Sequence, residues 1–146
     1  QLPTPMRSVD AAVQRTIGEI EVALARARER LEVPAAAYRP SEPQSLLQLP
    51  RTLRRVDLAD PDDGFVVIYS AASSGEALEL GQELVDFLES GFGQTNYVAD
   101  TQFALSTLED TIVFTTWSQR RSDDPERAEA AFDAIASVGT PVEIEK

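Results

Sequence analysis

Residues 64–81, GFVVIYSAASSGEALELG, pass from a β-branched and aromatic run, through a loop of small residues, into a helix-period pattern. The run reads as a strand whose faces are both apolar, because Phe65, Val67 and Tyr69 alternate with Val66 and Ile68. Such a strand has to be covered on both sides. Beyond the loop, Ser73-x-x-Glu76 has the form of a capping box: the Ser hydroxyl accepts the N–H of Glu76, and the Glu carboxylate reaches back to the N–H of Ser73. Phosphate sites share this strand, loop and helix outline, but they need closely spaced glycines and a nearby cation. Here Gly75 stands alone, and no basic residue lies between Arg55 and Arg120. The loop is expected to start a helix, with Glu76 and Glu79 occupying the positive end where an anion would sit. G-x-S-x-G is absent as well, which excludes a nucleophile elbow.

Working outward, TLRRVDLA (52–59) reads as a strand joined to the first by the turn Asp60-Pro61-Asp62-Asp63-Gly64. The helix of 73–90 is expected to stop at Gly91 and Gly93. YVADTQFALST (97–107) and TIVFTTWS (111–118) then form a second hairpin across Leu108-Glu109-Asp110. SDDPERAEAAFDAIASVG (122–139) is a helix opened by Asp and Pro125 and closed by Gly139, and VEIEK (142–146) is a last strand with Val142 and Ile144 on one face. From Phe65 the order is βαββαβ. The fold class is thus α+β, a ferredoxin-like antiparallel sheet with one extra N-terminal hairpin strand and both of its helices on one face. The first strand of such a sheet already has two neighbours, so a hairpin partner must displace the last strand.

Residues 8–32 carry Val13, Ile17, Ile20, Leu24, Ala27 and Leu31 as one narrow stripe, with Ser8 as N-cap and Pro34 as terminator. This long N-terminal helix is expected to pack on the chain's own sheet and supply the second cover; a coiled-coil stalk or dimer helix is the competing reading. Residues 33–51 hold four prolines and read as a linker packed on or beside the domain, with one helical turn near Ser45 to Leu49. The expected division is 1–32 helix, 33–51 linker and 52–146 α+β domain.

With 146 residues and 42% hydrophobic content the chain can bury a core. No apolar run is long enough to insert directly into a bilayer. Cysteine and histidine are both absent, which removes disulfides, thiolate metal sites, Cys nucleophiles and the commonest general base. A net charge of −12 opposes phosphate backbones and anionic lipid, so no nucleic acid partner is expected. The start at Gln1, followed by LPTP, reads as a processed or excised product. The expected setting is extracytoplasmic, in an exported or membrane-tethered bacterial protein such as a lipoprotein, with the cytoplasm left open.

Candidate sites are few. Setting Gly64 at the sixth position of a calcium loop puts Ala59 and Pro61 where carboxylates must stand, so that pattern fails. No basic-glycine-aromatic RNA signature accompanies Tyr69 or Trp117, which are expected to be core or helix-covered. Carboxylate pairs suit a glycosidase only inside a cleft, and these acids fall on turns and outer helix faces. No enzyme activity, cofactor or metal is expected. What remains is acidic surface: Glu76, Glu79, Glu83, Asp86 and Glu89 on one helix, and Asp123, Asp124, Glu126, Glu129 and Asp133 on the other. One exception is basic, because Arg51, Arg54 and Arg55 stand where they can converge with Arg120 and Arg121, just beyond Trp117. The expected function is a non-catalytic binding or scaffolding module. It engages a protein partner of basic surface, or a second copy, through Glu76, Glu79, Glu83, Asp86, Trp117, Arg120 and Arg121. The alternative is a small-molecule sensor with an apolar pocket between the N-terminal helix and the sheet.

Overall fold

The computed structural model describes residues 4–34, 42–58, 64–90, 100–120, 122 and 124–142, with side chains from Ala11 onward. In chain order the elements are α1 Thr4–Arg26, β1 Leu31–Glu32, α2 Gln44–Leu47, β2 Arg51–Val56, β3 Phe65–Ser70, α3 Ser74–Glu89, β4 Gln102–Leu108, β5 Thr111–Trp117, α4 Pro125–Ala136 and β6 Thr140–Pro141. The protein is α+β, with an antiparallel six-stranded sheet in the order β1-β2-β3-β5-β4-β6. The acidic turn 59–63, Gly91 and Gly93, Asp123 and the end 143–146 lie outside the described residues.

The βαββαβ order from Phe65 is present, but the last strand sits on β4 and not beside β3. A ferredoxin-like sheet would place it against β3, where β2 already pairs from Arg51↔Tyr69 to Arg55↔Phe65. This displacement also moves a helix. β3 and β4 are parallel with β5 between them; β5 and β6 are parallel with β4 between them, and they run the opposite way while stepping across the sheet in the same sense. If both crossovers are right-handed, their helices must lie on opposite faces. The packing agrees, so the expectation of both helices on one face is corrected. α4 and α1 cover the face of Val66, Ile68, Val113 and Trp117, with Ala128, Ala131, Ile135, Val13, Ile17, Ile20 and Leu24 buried against them. α3 covers the face of Val67, Tyr69, Ile112 and Phe114 with Ala77, Leu84, Val85 and Leu88, and the short α2 adds Leu46. β3 is therefore apolar on both faces because it is the middle layer of a three-layer stack.

The N-terminal stripe packs on the chain's own sheet as expected, but the helix runs over 4–26 and not 8–32. It ends in a Schellman motif. Arg28 N–H donates to the Ala25 carbonyl (3.0 Å) and Glu29 N–H to the Leu24 carbonyl (2.9 Å), around a left-handed Arg28 at φ 62°. Glycine usually fills that position. Arginine there left no stop signal, and Leu31 goes on to pair with Val56 as a strand residue. A buried bond fixes α1 in register: Thr111 Oγ1 donates to the Leu108 carbonyl (2.8 Å), so Thr16 Oγ1, 2.7 Å away, is its donor.

The described part of the Pro-rich stretch is fastened by more than Leu46. The Glu42 carboxylate, with its side chain 6% exposed, is shared by the Arg51 guanidinium and the Tyr69 hydroxyl. Arg51 opens β2, one residue earlier than expected. β6 begins at Thr140, two residues earlier than expected; Val142 continues its line by donating to the Leu105 carbonyl (2.8 Å), while Ile144 is outside the described residues.

Candidate functional site

The pattern of α3 decides which of its side chains face outward. Ala77, Gly81, Leu84, Val85 and Leu88 are buried at helical spacing, and this turns Glu79, Glu83 and Asp86 to solvent with Leu78, which is 57% exposed. Glu79 with Glu83, and Glu83 with Asp86, are like charges at i,i+4 and i,i+3, each costing a few tenths of a kcal/mol. No ion pair reaches these three among the described residues. Glu76 is spoken for. Ser73 Oγ accepts its N–H (3.1 Å) and its carboxylate accepts the N–H of Ala72 (3.0 Å), so the cap forms with its return bond one residue earlier than the expected Ser73 N–H.

The loop that opens α3 borders a shallow depression of about 430 Å³, walled by Ala11, Ala12 and Arg15 of α1 and by Ser73, Ser74, Glu109 and Asp110. Its one cation, Arg15, is paired with Glu109. Two carboxylates and a committed guanidinium are the wrong charges for a phosphate.

Three arginines at another place are held by carboxylates. Arg30 donates to Asp57 Oδ2 from Nε (3.1 Å) and Nη2 (3.0 Å), and Arg127 donates to both oxygens of Glu29 (2.9 and 2.7 Å) and to the Asp57 carbonyl (3.1 Å). Buried Arg55 reaches Glu32 (2.7 Å) and the Leu58 carbonyl (3.0 Å). These bonds tie the α1–β1 turn, the exit of β2 and the first turn of α4 together at one end of the sheet. The Arg30 hydrogen bond, with its charge, holds the Asp57 carboxyl below the ordinary aspartate value against the opposing effect of burial.

The expected arginine patch does not assemble as a whole. Arg51 lies opposite Tyr69 at one end of β3 and Arg55 opposite Phe65 at the other, where β5 runs out toward Arg120. Arg54 donates to the Leu53 carbonyl (2.9 Å), and Arg121 is outside the described residues. Arg120 is exposed on a turn clamped by Asp100, which accepts from Ser118 Oγ (2.7 Å) and the Arg120 N–H (3.1 Å). The Ser118 bond first, then the Arg120 N–H and charge, lower the Asp100 pKa, while burial works the other way. Trp117 is 7% exposed and tilted against Phe132 at 6.3 Å, so it belongs to the core and not to the surface.

Sequence reasoning missed Glu42, which carried no pattern of its own among prolines. It also missed Thr16, whose place beside Ile17 on the buried stripe was the available signal. Among the described residues no cluster of metal-ligating side chains occurs, and no helix is long and apolar enough to cross a membrane. No protein-family model, curated protein or solved structure matches the chain.

Proposed function

We propose that the protein is a non-catalytic binding module that engages a basic protein surface through the outer face of α3. The observation that carries this reading is the row Glu79, Glu83 and Asp86, exposed, joined by no ion pair among the described residues and accompanied on its helix by the exposed Leu78; the row Glu126, Glu129 and Asp133 on α4 is also exposed and outside those ion pairs but has no exposed large hydrophobic on its helix. An uncompensated like-charge row costs stability in the free protein, and a cationic partner relieves it while the field steers encounter. Exposed Leu78 on the same helix adds an apolar contact. Glu76 and Trp117 are left out of this surface, because one caps the helix and the other is buried. An extracytoplasmic setting belongs to the same proposal and is tested by fractionation of cells that make the protein: recovery with the cytoplasmic fraction alone would refute it.

The sensor reading draws less support, since the space between α4 and the sheet amounts to about 10 Å³ and α1 fills its side with Val13, Ile17, Ile20 and Leu24. A matched pair of triple variants tests the proposal. Binding of a labelled Arg- and Lys-rich amphipathic peptide is measured by fluorescence anisotropy for the wild type, for Glu79→Gln/Glu83→Gln/Asp86→Asn and for Glu126→Gln/Glu129→Gln/Asp133→Asn. Three exposed pairs together contribute on the order of 1.4 kcal/mol, so the α3 variant should bind about tenfold more weakly. The α4 variant carries the same net charge and should bind as wild type. Equal loss in both would reduce the effect to net charge and sink the proposal.

A further inference from the structure

The layer between α4 and the sheet contains one polar atom that its apolar surroundings do not explain. Trp117 Nε1 is buried and has no hydrogen-bond partner among the described residues. An indole N–H in that position is costly, and buried donors nearly always find protein or water. Trp117 lines the cavity of about 10 Å³ beneath α4, a space that admits the centre of one water molecule. Water in such a place needs at least a second polar neighbour. Thr115, two residues back on the same face of β5, lines the same cavity. Its Oγ1 donates to the Phe65 carbonyl (2.8 Å), which commits its proton and leaves a lone pair to accept. Thr116 also borders the cavity, but alternation along β5 puts its side chain on the opposite face of the sheet from Thr115 and Trp117. The other walls, Val56, Leu58 and Ile135 among them, carry no polar side chain.

We infer that this cavity is an internal binding site for a single water molecule, which accepts a hydrogen bond from Trp117 Nε1 and donates one to Thr115 Oγ1. The site is independent of the acidic face of α3. It satisfies the buried Trp117 indole without opening the layer beneath α4 to a larger ligand, because the cavity has no room for a second heavy atom beside the first.

Trp117 is the sole tryptophan, so the indole N–H gives one signal in the amide spectrum of the intact ¹⁵N-labelled protein. Water-selective NOESY and ROESY spectra should show a cross-peak between that proton and water, with the signs of a long-lived contact rather than of chemical exchange. Thr115→Val should abolish the cross-peak, and Thr115→Ser, which keeps the hydroxyl, should retain it. The folded state of each variant is checked from the rest of the same spectrum. A wild-type indole proton without a water contact overturns the site, as does a contact with the signs of exchange or of passing surface water. A cross-peak that survives in Thr115→Val overturns the role of Thr115 as the second partner.

Discussion

Gly139→Ala probes the placement of the last strand directly. Gly139 has φ +78°, and a Cβ added there would stand 2.5 Å from the Thr107 carbonyl oxygen and 3.0 Å from the Thr107 carbonyl carbon. The left-handed backbone alone costs an alanine about 1–2 kcal/mol. Relieving the overlap means moving backbone of β4 or β6, and forced overpacking of this kind costs about 1–3 kcal/mol. The sum, about 2–5 kcal/mol, is a large share of the 5–15 kcal/mol that ordinarily separates folded from unfolded states. Two sibling variants separate the terms. Gly64→Ala has the same φ, but its nearest contact is a flexible Leu58 methyl at 3.0 Å, so it should show mainly the backbone share of about 1–2 kcal/mol. Gly18→Ala meets nothing within 4 Å inside α1 and should stabilise by about 0.8–1 kcal/mol. Urea denaturation with unchanged slope gives all three. Because the offending oxygen belongs to β4, a Gly139→Ala no worse than Gly64→Ala would refute the pairing of β6 with β4.

The Thr16–Thr111 bond should behave as an ordered chain. Thr111→Val strands the Thr16 donor and frees the Leu108 carbonyl, at about 1–3 kcal/mol, whereas Thr16→Val leaves the Thr111 proton placed and should cost less. Denaturation of both single variants and the double variant should give a non-additive total; simple additivity would contradict the bond. In acid, Asp57 and Asp100 should contribute a loss of stability of predictable sign. Their folded pKa values lie below the unfolded one, so the stability they add is present above the unfolded aspartate value and is lost as pH falls through the folded values. A urea midpoint followed from pH 6 downward should fall less steeply in Asp57→Asn and Asp100→Asn, and curves parallel to wild type would count against the bonds from Arg30 and Ser118.

Element types were legible wherever burial imposed a period. The stripe Val13, Ile17, Ile20 and Leu24, the double-faced β3 and the inward positions of α3 all follow from which side chains water rejects. Two kinds of information were not local. The end of α1 depended on a left-handed arginine, which helix propensity opposes and the hydrogen bonds of Leu24 and Ala25 enforce. The choice of edge for β6 depended on competition: once β2 holds the flank of β3, the last strand can only add beyond β4, and the handedness of its crossover then carries α4 to the other face. On the surface, exposed glutamates were readable as exposed. Which arginines were already engaged was not, because Arg127 meets Glu29 across 98 residues of chain.

Those long separations bear on the order in which the molecule assembles. The hairpin of β4 and β5 turns over two residues, whereas Thr16 meets Thr111 across 95. Closing a loop of that length costs about 2 kcal/mol more than closing one of ten residues. The sheet hairpins can gain their contacts before α1 finds its seat, so α1 is expected to dock after the rate-limiting barrier. Weakening the hairpins then slows folding, while weakening the α1 contacts chiefly speeds unfolding. The helix that completes one half of the core is in this sense the lock on the native state's lifetime.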